Sequence, residues 1–124
     1  MPLIDGWIRH QQQATGVSLA LMQDNAPAHA AKATIEDLRD REVNVIPWPA
    51  YSPDLNPIET VWSKLKDDIV RRCRQETTLT SDRLRTIVYE AYEAVEDTWL
   101  QGLIAGMPGR CEAVIQANGM HIPC

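Results

Sequence analysis

Between Gly16 and the turn signal Asn25-Ala26-Pro27 the chain reads Val17-Ser18-Leu19-Ala20-Leu21-Met22-Gln23-Asp24. The run is apolar almost throughout and has the length of a strand. Bounded by turn residues, such a run suits a strand buried on both faces of a sheet. Asp24 then stands at the carboxyl end, where the ligand sites of open α/β sheets gather. From Ala28 to Arg41 the periodicity predicts a helix, with Ala31, Ile35 and Leu38 on one face and Glu36, Asp37 and Asp40 on another. Val43-Asn44-Val45-Ile46 reads as a second short strand. Strand, helix and strand in about thirty residues define a βαβ unit with parallel strands and a right-handed crossover. The expected fold class is therefore α/β: a βαβ unit followed by C-terminal helices.

Four prolines, Pro47, Pro49, Pro53 and Pro57, then make a stiff surface loop. Asn56 suits an N-cap, Pro57 the first helical position and Glu59 the third. The helix so started is predicted to run to about Cys73, burying Ile58, Val61, Trp62, Leu65 and Ile69, with Trp62 assigned to the core. A further helix is expected from about Ser81 to Gln101, burying Leu84, Ile87, Val88, Ala91, Val95 and Trp99. Pro108 opens a last short helix that Asn118-Gly119 ends. Upstream, residues 3–13 read as a short helix or an extended arm with an apolar cluster at Leu3, Ile4, Trp7 and Ile8. The chain thus reads as one domain in three parts: 1–16, 17–73 and 74–124.

The 124 residues are 44% hydrophobic and 23% charged, which fits a small folded domain and excludes wholesale disorder. With 12 basic and 17 acidic residues the net charge is −5, against the basic balance usual in a stand-alone nucleic-acid binder. The charge is uneven, however. Val61 to Arg85 holds seven basic and four acidic residues. Lys64, Lys66, Arg71 and Arg72 could meet a polyanion there, or form an ordinary solvated helix face. Cys73, Cys111 and Cys124 form no metal-ligand spacing with each other or with His10, His29 and His121, and are read as reduced thiols of an intracellular protein. No apolar run approaches the ~20 residues of a membrane span, and Met1-Pro2 opens no signal peptide.

Two carboxylates could carry chemistry. Asp24 ends the first apolar run, and Glu59 stands in the first turn of the helix after the proline loop. Together they would suit a hard divalent cation, which prefers carboxylate oxygen. Two such ions about 3.5–4 Å apart activate a water or hydroxyl and stabilise the leaving oxygen of a phosphodiester. Each residue also has a plainer reading: Asp24 can start a turn, and Glu59 can complete a capping box with Asn56.

In context the pair resembles something specific. The segments Gln23-Asp24-Asn25-Ala26-Pro27-Ala28-His29 and Trp48-Pro49-Ala50-Tyr51-Ser52-Pro53-Asp54-Leu55-Asn56-Pro57-Ile58-Glu59-Thr60-Val61-Trp62 resemble the two signature blocks of mariner-type transposases, the Asp-Asp-Glu superfamily endonucleases. Asp24 and Glu59 match the second and third acids of that family's triad, and the 34 residues between them match the spacing of one major branch. Leu103 to Cys111 resembles the family's terminal helix region. The resemblance covers roughly residues 17–119. It implies a ribonuclease H-like, retroviral integrase-like fold and a Mg2+ or Mn2+ cofactor. It also implies transposon-end DNA as substrate and a nuclear location. Asn25 and His29 would orient the metal site or touch DNA, or else serve the turn and helix start. Trp48 and Tyr51 would stack on a splayed base, or pack in the loop.

The first acid of the triad is not matched. Asp5 is the one acidic residue before Asp24, with 18 residues between them. Strands of ~5–6 residues and helices of ~11–12 leave no room there for the two strands and helix that the family places between its two Asp residues. The fold is therefore expected to be truncated and the triad incomplete. A truncated sheet would expose an edge open to pairing with another chain. Gly106 and Gly109 depart from the helix-compatible or basic residues expected there. Three readings follow: a fragment of a DNA-cleaving and strand-joining domain, a non-catalytic remnant that binds DNA or a full-length transposase, and a piece of a longer protein.

Overall fold

The computed structural model describes residues 2–123; Met1 and Cys124 lie outside the described residues, as do the side chains of Pro2 and Leu3. The chain forms two compact units, Met1–Tyr51 and Ser52–Cys124.

The first unit holds α1 (Pro2–Thr15), α2 (Pro27–Ala30) and α3 (Lys32–Asp40). The residues read as a short helix or arm are thus a helix of 14 residues. Gly16, at φ +69°, turns the chain out of it, and its N–H still reaches the Gln12 carbonyl at 2.9 Å. Ile8 and Leu38 are the buried apolar residues of this unit among the described residues. Asp5 and Arg41 tie α1 to the end of α3 at 3.3 Å, while Arg41 also holds Asp37 at 2.9 Å. Asp5 is therefore engaged in structure. Its Oδ1 is buried without a hydrogen-bond partner among the described residues.

The expected sheet is the main correction. No strand forms among the described residues, so neither the βαβ unit nor the truncated ribonuclease H-like sheet is present. One parallel bridge, Leu21 to Val45, joins the two apolar runs. It consists of Leu21 N–H to the Asn44 carbonyl, 2.7 Å, and Ile46 N–H to the Leu21 carbonyl, 2.9 Å. The physical reason lies in what parallel pairing requires. Parallel strands persist when both faces are covered and neighbours extend the ladder. Here Val17, Val45 and Ile46 are 57%, 39% and 42% exposed, so the apolar side chains that should drive pairing stay in water. Pro47 also stops the second run after four residues by removing the next donor. The helix predicted from Ala28 to Arg41 breaks at Ala31, which takes an extended ψ of 137°, and Ile35 is exposed.

The second unit holds a 3-10 turn (Pro53–Leu55), α4 (Pro57–Cys73), α5 (Ser81–Glu93), α6 (Asp97–Ala105) and α7 (Met107–Gln116). α4 starts as expected: Asn56 Oδ1 accepts the Ile58 N–H at 3.2 Å, with Pro57 at the first position. Thr80 caps α5 by accepting the Arg83 N–H, also at 3.2 Å. α4 packs on α5, where Ile87 is fully buried and Ala91 nearly so. The single helix predicted from Ser81 to Gln101 is two, broken at Ala94-Val95-Glu96. Trp62, assigned to the core, is 49% exposed, and Leu84 and Val88 of the predicted stripe are exposed as well. α7 ends through Asn118 and Gly119, both at positive φ, as its Asn118-Gly119 signal predicts. Cys73 and Cys111 are free thiols.

Candidate metal-binding carboxylates

Asp24 follows the bridged segment and precedes the short α2. Its Oδ1 accepts the Ala26 N–H at 3.1 Å and lies 2.5 Å from Nδ1 of His29. An ionised carboxylate only accepts, so this His29 nitrogen carries the proton. The Ala26 N–H, and then His29, hold the Asp24 carboxyl below the usual carboxylate range. The turn-starting role is therefore realised, but by one oxygen. Oδ2 receives no hydrogen bond from the described residues, and about half of the side chain faces solvent. Asn25 adds a tie of its own: its Nδ2 donates to the Trp48 carbonyl at 2.9 Å, pinning the first block to the start of the proline loop. His29 thus contacts Asp24, and Asn25 positions the backbone.

Glu59 sits in the first turn of α4. The capping box that would explain it plainly does not form. In that motif the Glu side chain accepts from the N-cap N–H. Here the Asn56 N–H goes to the Pro53 carbonyl at 3.0 Å, and the Glu59 carboxylate has no hydrogen bond or ion pair among the described residues. It is a half-buried carboxylate with both oxygens open, in the first turn of α4. Asp24 belongs to the first unit and Glu59 to the second. Among the described residues no group of three or more His, Cys, Asp and Glu side chains is placed to hold a metal.

The basic residues singled out from sequence fare unevenly. A groove of about 710 Å³ runs along α4 against α5 and α6, lined by Lys64, Arg71, Arg72 and Trp99 among others. Lys64 Nζ lies 4.9 Å from the centre of the Trp99 ring, a cation–π contact. Arg71 and Arg72 both pair with Asp68, and Arg72 also reaches Glu90 at 3.4 Å. Arg83 pairs with Glu76 and Glu90. The local basic excess is thus largely matched by neighbouring carboxylates. Lys64 and Lys66 are exposed and have no ion pair among the described residues; Lys64 lies over Trp99, which leaves Lys66 the freer of the two. Tyr51 is 89% exposed, so core packing does not account for it.

Sequence reading passed over one residue, Asp54. It is 6% exposed and accepts the Ile122 N–H on Oδ2 at 3.1 Å. An Asp in a proline loop reads as solvated. Its partners lie 56 and 68 positions further on, so no local signal marks it.

Comparison with known proteins agrees with the two signature blocks. The family model described as DDE superfamily endonuclease matches residues 3–82. The chain belongs to the DDE superfamily endonucleases, of the Tc1/mariner transposase type. It is 36% identical over 104 residues to the Tcb1 transposase of Caenorhabditis briggsae, covering 84% of this chain and 37% of that protein. It is likewise 36% identical over 107 residues to the Tc1 transposase of Caenorhabditis elegans, covering 86% and 38%. The chain therefore spans little more than a third of the length of these curated relatives. The crystal structure of the Mos1 mariner transposase catalytic domain superposes with a TM-score of 0.72 at 24% identity, over 93% of this chain and 55% of that one. Structures of that Mos1 domain with Raltegravir and Mn, and with Mg, match equally well. The likeness shows a shared fold, although the sheet hydrogen bonding expected here is reduced to one bridge. Among the described residues no helix is long and apolar enough to cross a membrane.

Proposed function

We propose that this chain supplies the second and third carboxylates, Asp24 and Glu59, of a transposase catalytic centre that cleaves and joins DNA at transposon ends. The observation that carries the reading is the Glu59 carboxylate: it sits at a helix start, makes no capping box and pairs with no cation among the described residues. The open Oδ2 of Asp24 complements it. The donor set fits Mg2+ or Mn2+, which bind through one or two carboxylates and fill the remaining positions with water and substrate phosphate. Such a cation supplies activation of the attacking oxygen and stabilisation of the leaving one. The chain's own part is to hold Asp24 through Ala26 and His29 and to aim Glu59 from a rigid helix. Residues 1–124 offer two acids of the triad, and the third is supplied from outside them, so catalysis by these residues alone is incomplete. A nuclear location follows from this reading.

The test is Mn2+ binding, read by electron paramagnetic resonance of the free ion. Asp24→Asn and Glu59→Gln are each expected to weaken binding at least about tenfold, as loss of metal-site partners does. The double variant is expected to be no worse than the stronger single one, because two ligands of one ion are coupled. Strictly additive losses, or none, would show that the two acids serve no common ion.

A second reading, a non-catalytic remnant that binds a full-length transposase, its own copy or DNA, is favoured by the exposed Val17, Val45 and Ile46. The ion pairing of Arg71 and Arg72 favours a polypeptide over DNA as the partner. DNA affinity measured across salt concentrations separates the two. If Lys66 meets a phosphate, Lys66→Ala lowers the slope of log affinity against log salt by about one. A flat response in the unaltered chain leaves the polypeptide partner.

A further inference from the structure

The C-terminal segment after α7 returns to the 3-10 turn that precedes α4, the helix that carries Glu59. Four contacts make the junction. The Ile122 N–H donates to Asp54 Oδ2 at 3.1 Å. Arg110 of α7 donates through Nε to the Asp54 carbonyl at 2.9 Å and through Nη2 to the Pro123 carbonyl at 3.0 Å. Nδ1 of His121 lies 3.8 Å from Asp54 Oδ1. One guanidinium therefore bridges loop and tail, and one buried carboxylate receives the tail's backbone. A buried carboxylate is costly unless it is hydrogen-bonded, so Asp54 holds the tail where its N–H can serve it. The Ile122 N–H is also the leading reason the Asp54 carboxyl lies below the usual range.

From Asp54 the order passes directly to the candidate ligand. Within the 3-10 turn the Leu55 N–H reaches the Ser52 carbonyl at 3.3 Å, and the Asn56 N–H reaches the Pro53 carbonyl at 3.0 Å. Asn56 then caps α4 through the Ile58 N–H, and its carbonyl accepts the Glu59 N–H at 3.1 Å. The turn contacts α7 and the start of α4, which follows it in the chain.

We propose that Met120–Pro123 is a latch that, through Asp54 and Arg110, fixes the 3-10 turn and so sets the direction in which α4 presents Glu59. Asp54 and Arg110 are positioning residues: neither carries the reaction, and both act through the turn. The catalytic consequence rests on Glu59 being a metal ligand, as proposed above; the latch itself does not.

The experiment is amide hydrogen exchange resolved by residue, on the chain, on a form ending at Gly119, and on Asp54→Ala and Arg110→Ala. Exchange at Leu55, Asn56, Ile58 and Glu59 is expected to rise about tenfold or more in all three variants, while amides of α5 around Ile87 keep their protection. Asp54→Asn, which keeps a carbonyl acceptor for Ile122, is expected to restore much of the protection. Unchanged exchange at 55–59, or a loss shared equally by α5, overturns the latch. Mn2+ affinity is read on the same samples. It is expected to fall with Asp54→Ala. If Glu59→Gln leaves that affinity unchanged, the ligand reading fails, while the exchange data still judge the latch separately.

Discussion

In a catalytic unit completed by polypeptide carrying the remaining acid, Glu59→Gln is expected to lower Mg2+- or Mn2+-dependent nicking of transposon-end DNA by about 10²–10³-fold. The substitution keeps the shape of the side chain and removes its charge. A carboxylate ligand matters most where charge develops on the attacking and leaving oxygens, and losing one preorganised electrostatic contact of this kind costs about 2.7–4 kcal/mol of transition-state stabilisation. No second role obscures the result, because Glu59 caps no helix and pairs with no cation among the described residues. Asp24→Ala is expected to do as much, with some added loosening of the turn, since Asp24 also accepts the Ala26 N–H. Lys66→Ala provides the contrast: it should change the salt response and leave the rate within a few-fold. Single-turnover nicking assays decide the matter. Glu59→Gln protein that nicks at the unaltered rate would remove Glu59 from the chemistry.

The second large effect concerns stability. Ile87→Ala is expected to cost about 2–5 kcal/mol, the range for truncating a buried aliphatic side chain that leaves a cavity. Ile87 is the fully buried side chain of the described residues, on the face of α5 that meets α4. Domains of this size have only about 5–15 kcal/mol in total. The variant should therefore melt at a clearly lower temperature or be partly unfolded at ambient temperature. Tyr89→Ala, two residues away and 65% exposed, should stay within about 0.5 kcal/mol. Urea midpoints for the two variants give the comparison. An Ile87→Ala midpoint close to that of Tyr89→Ala would mean that the α4–α5 contact does not hold this unit together.

The junction of α4 with its loop shows how far local reading reaches. Asn56-Pro57 announces a helix start because an N-cap side chain and a ring with fixed φ act on their immediate neighbours. Asn118-Gly119, which ends α7, is legible for the same reason. The two signature blocks are legible too, as ordered strings of residues, and they lead to the family and to Asp24 and Glu59 as candidates. The roles of neighbouring groups were harder to read. Whether Glu59 is free or tied to the cap depends on where the Asn56 N–H goes, and it goes to Pro53. Whether Arg71 and Arg72 are available to phosphate depends on Asp68 and Glu90, and Glu90 lies on another helix.

By itself, then, the sequence determined the start of α4 and the end of α7, the endonuclease family and the two candidate acids, because these depend on short-range stereochemistry and on residue order. The tertiary structure decided the rest. It left Val17, Val45, Ile46 and Trp62 exposed, reduced a predicted sheet to one parallel bridge and buried Asp54 under the tail. An apolar run states only that burial would be favourable; whether it is buried depends on segments brought over it from elsewhere in the chain. A charged residue likewise goes inside only when distant donors arrive to satisfy it, and for Asp54 those are the Ile122 N–H and the Arg110 side chain that ties its loop to the tail.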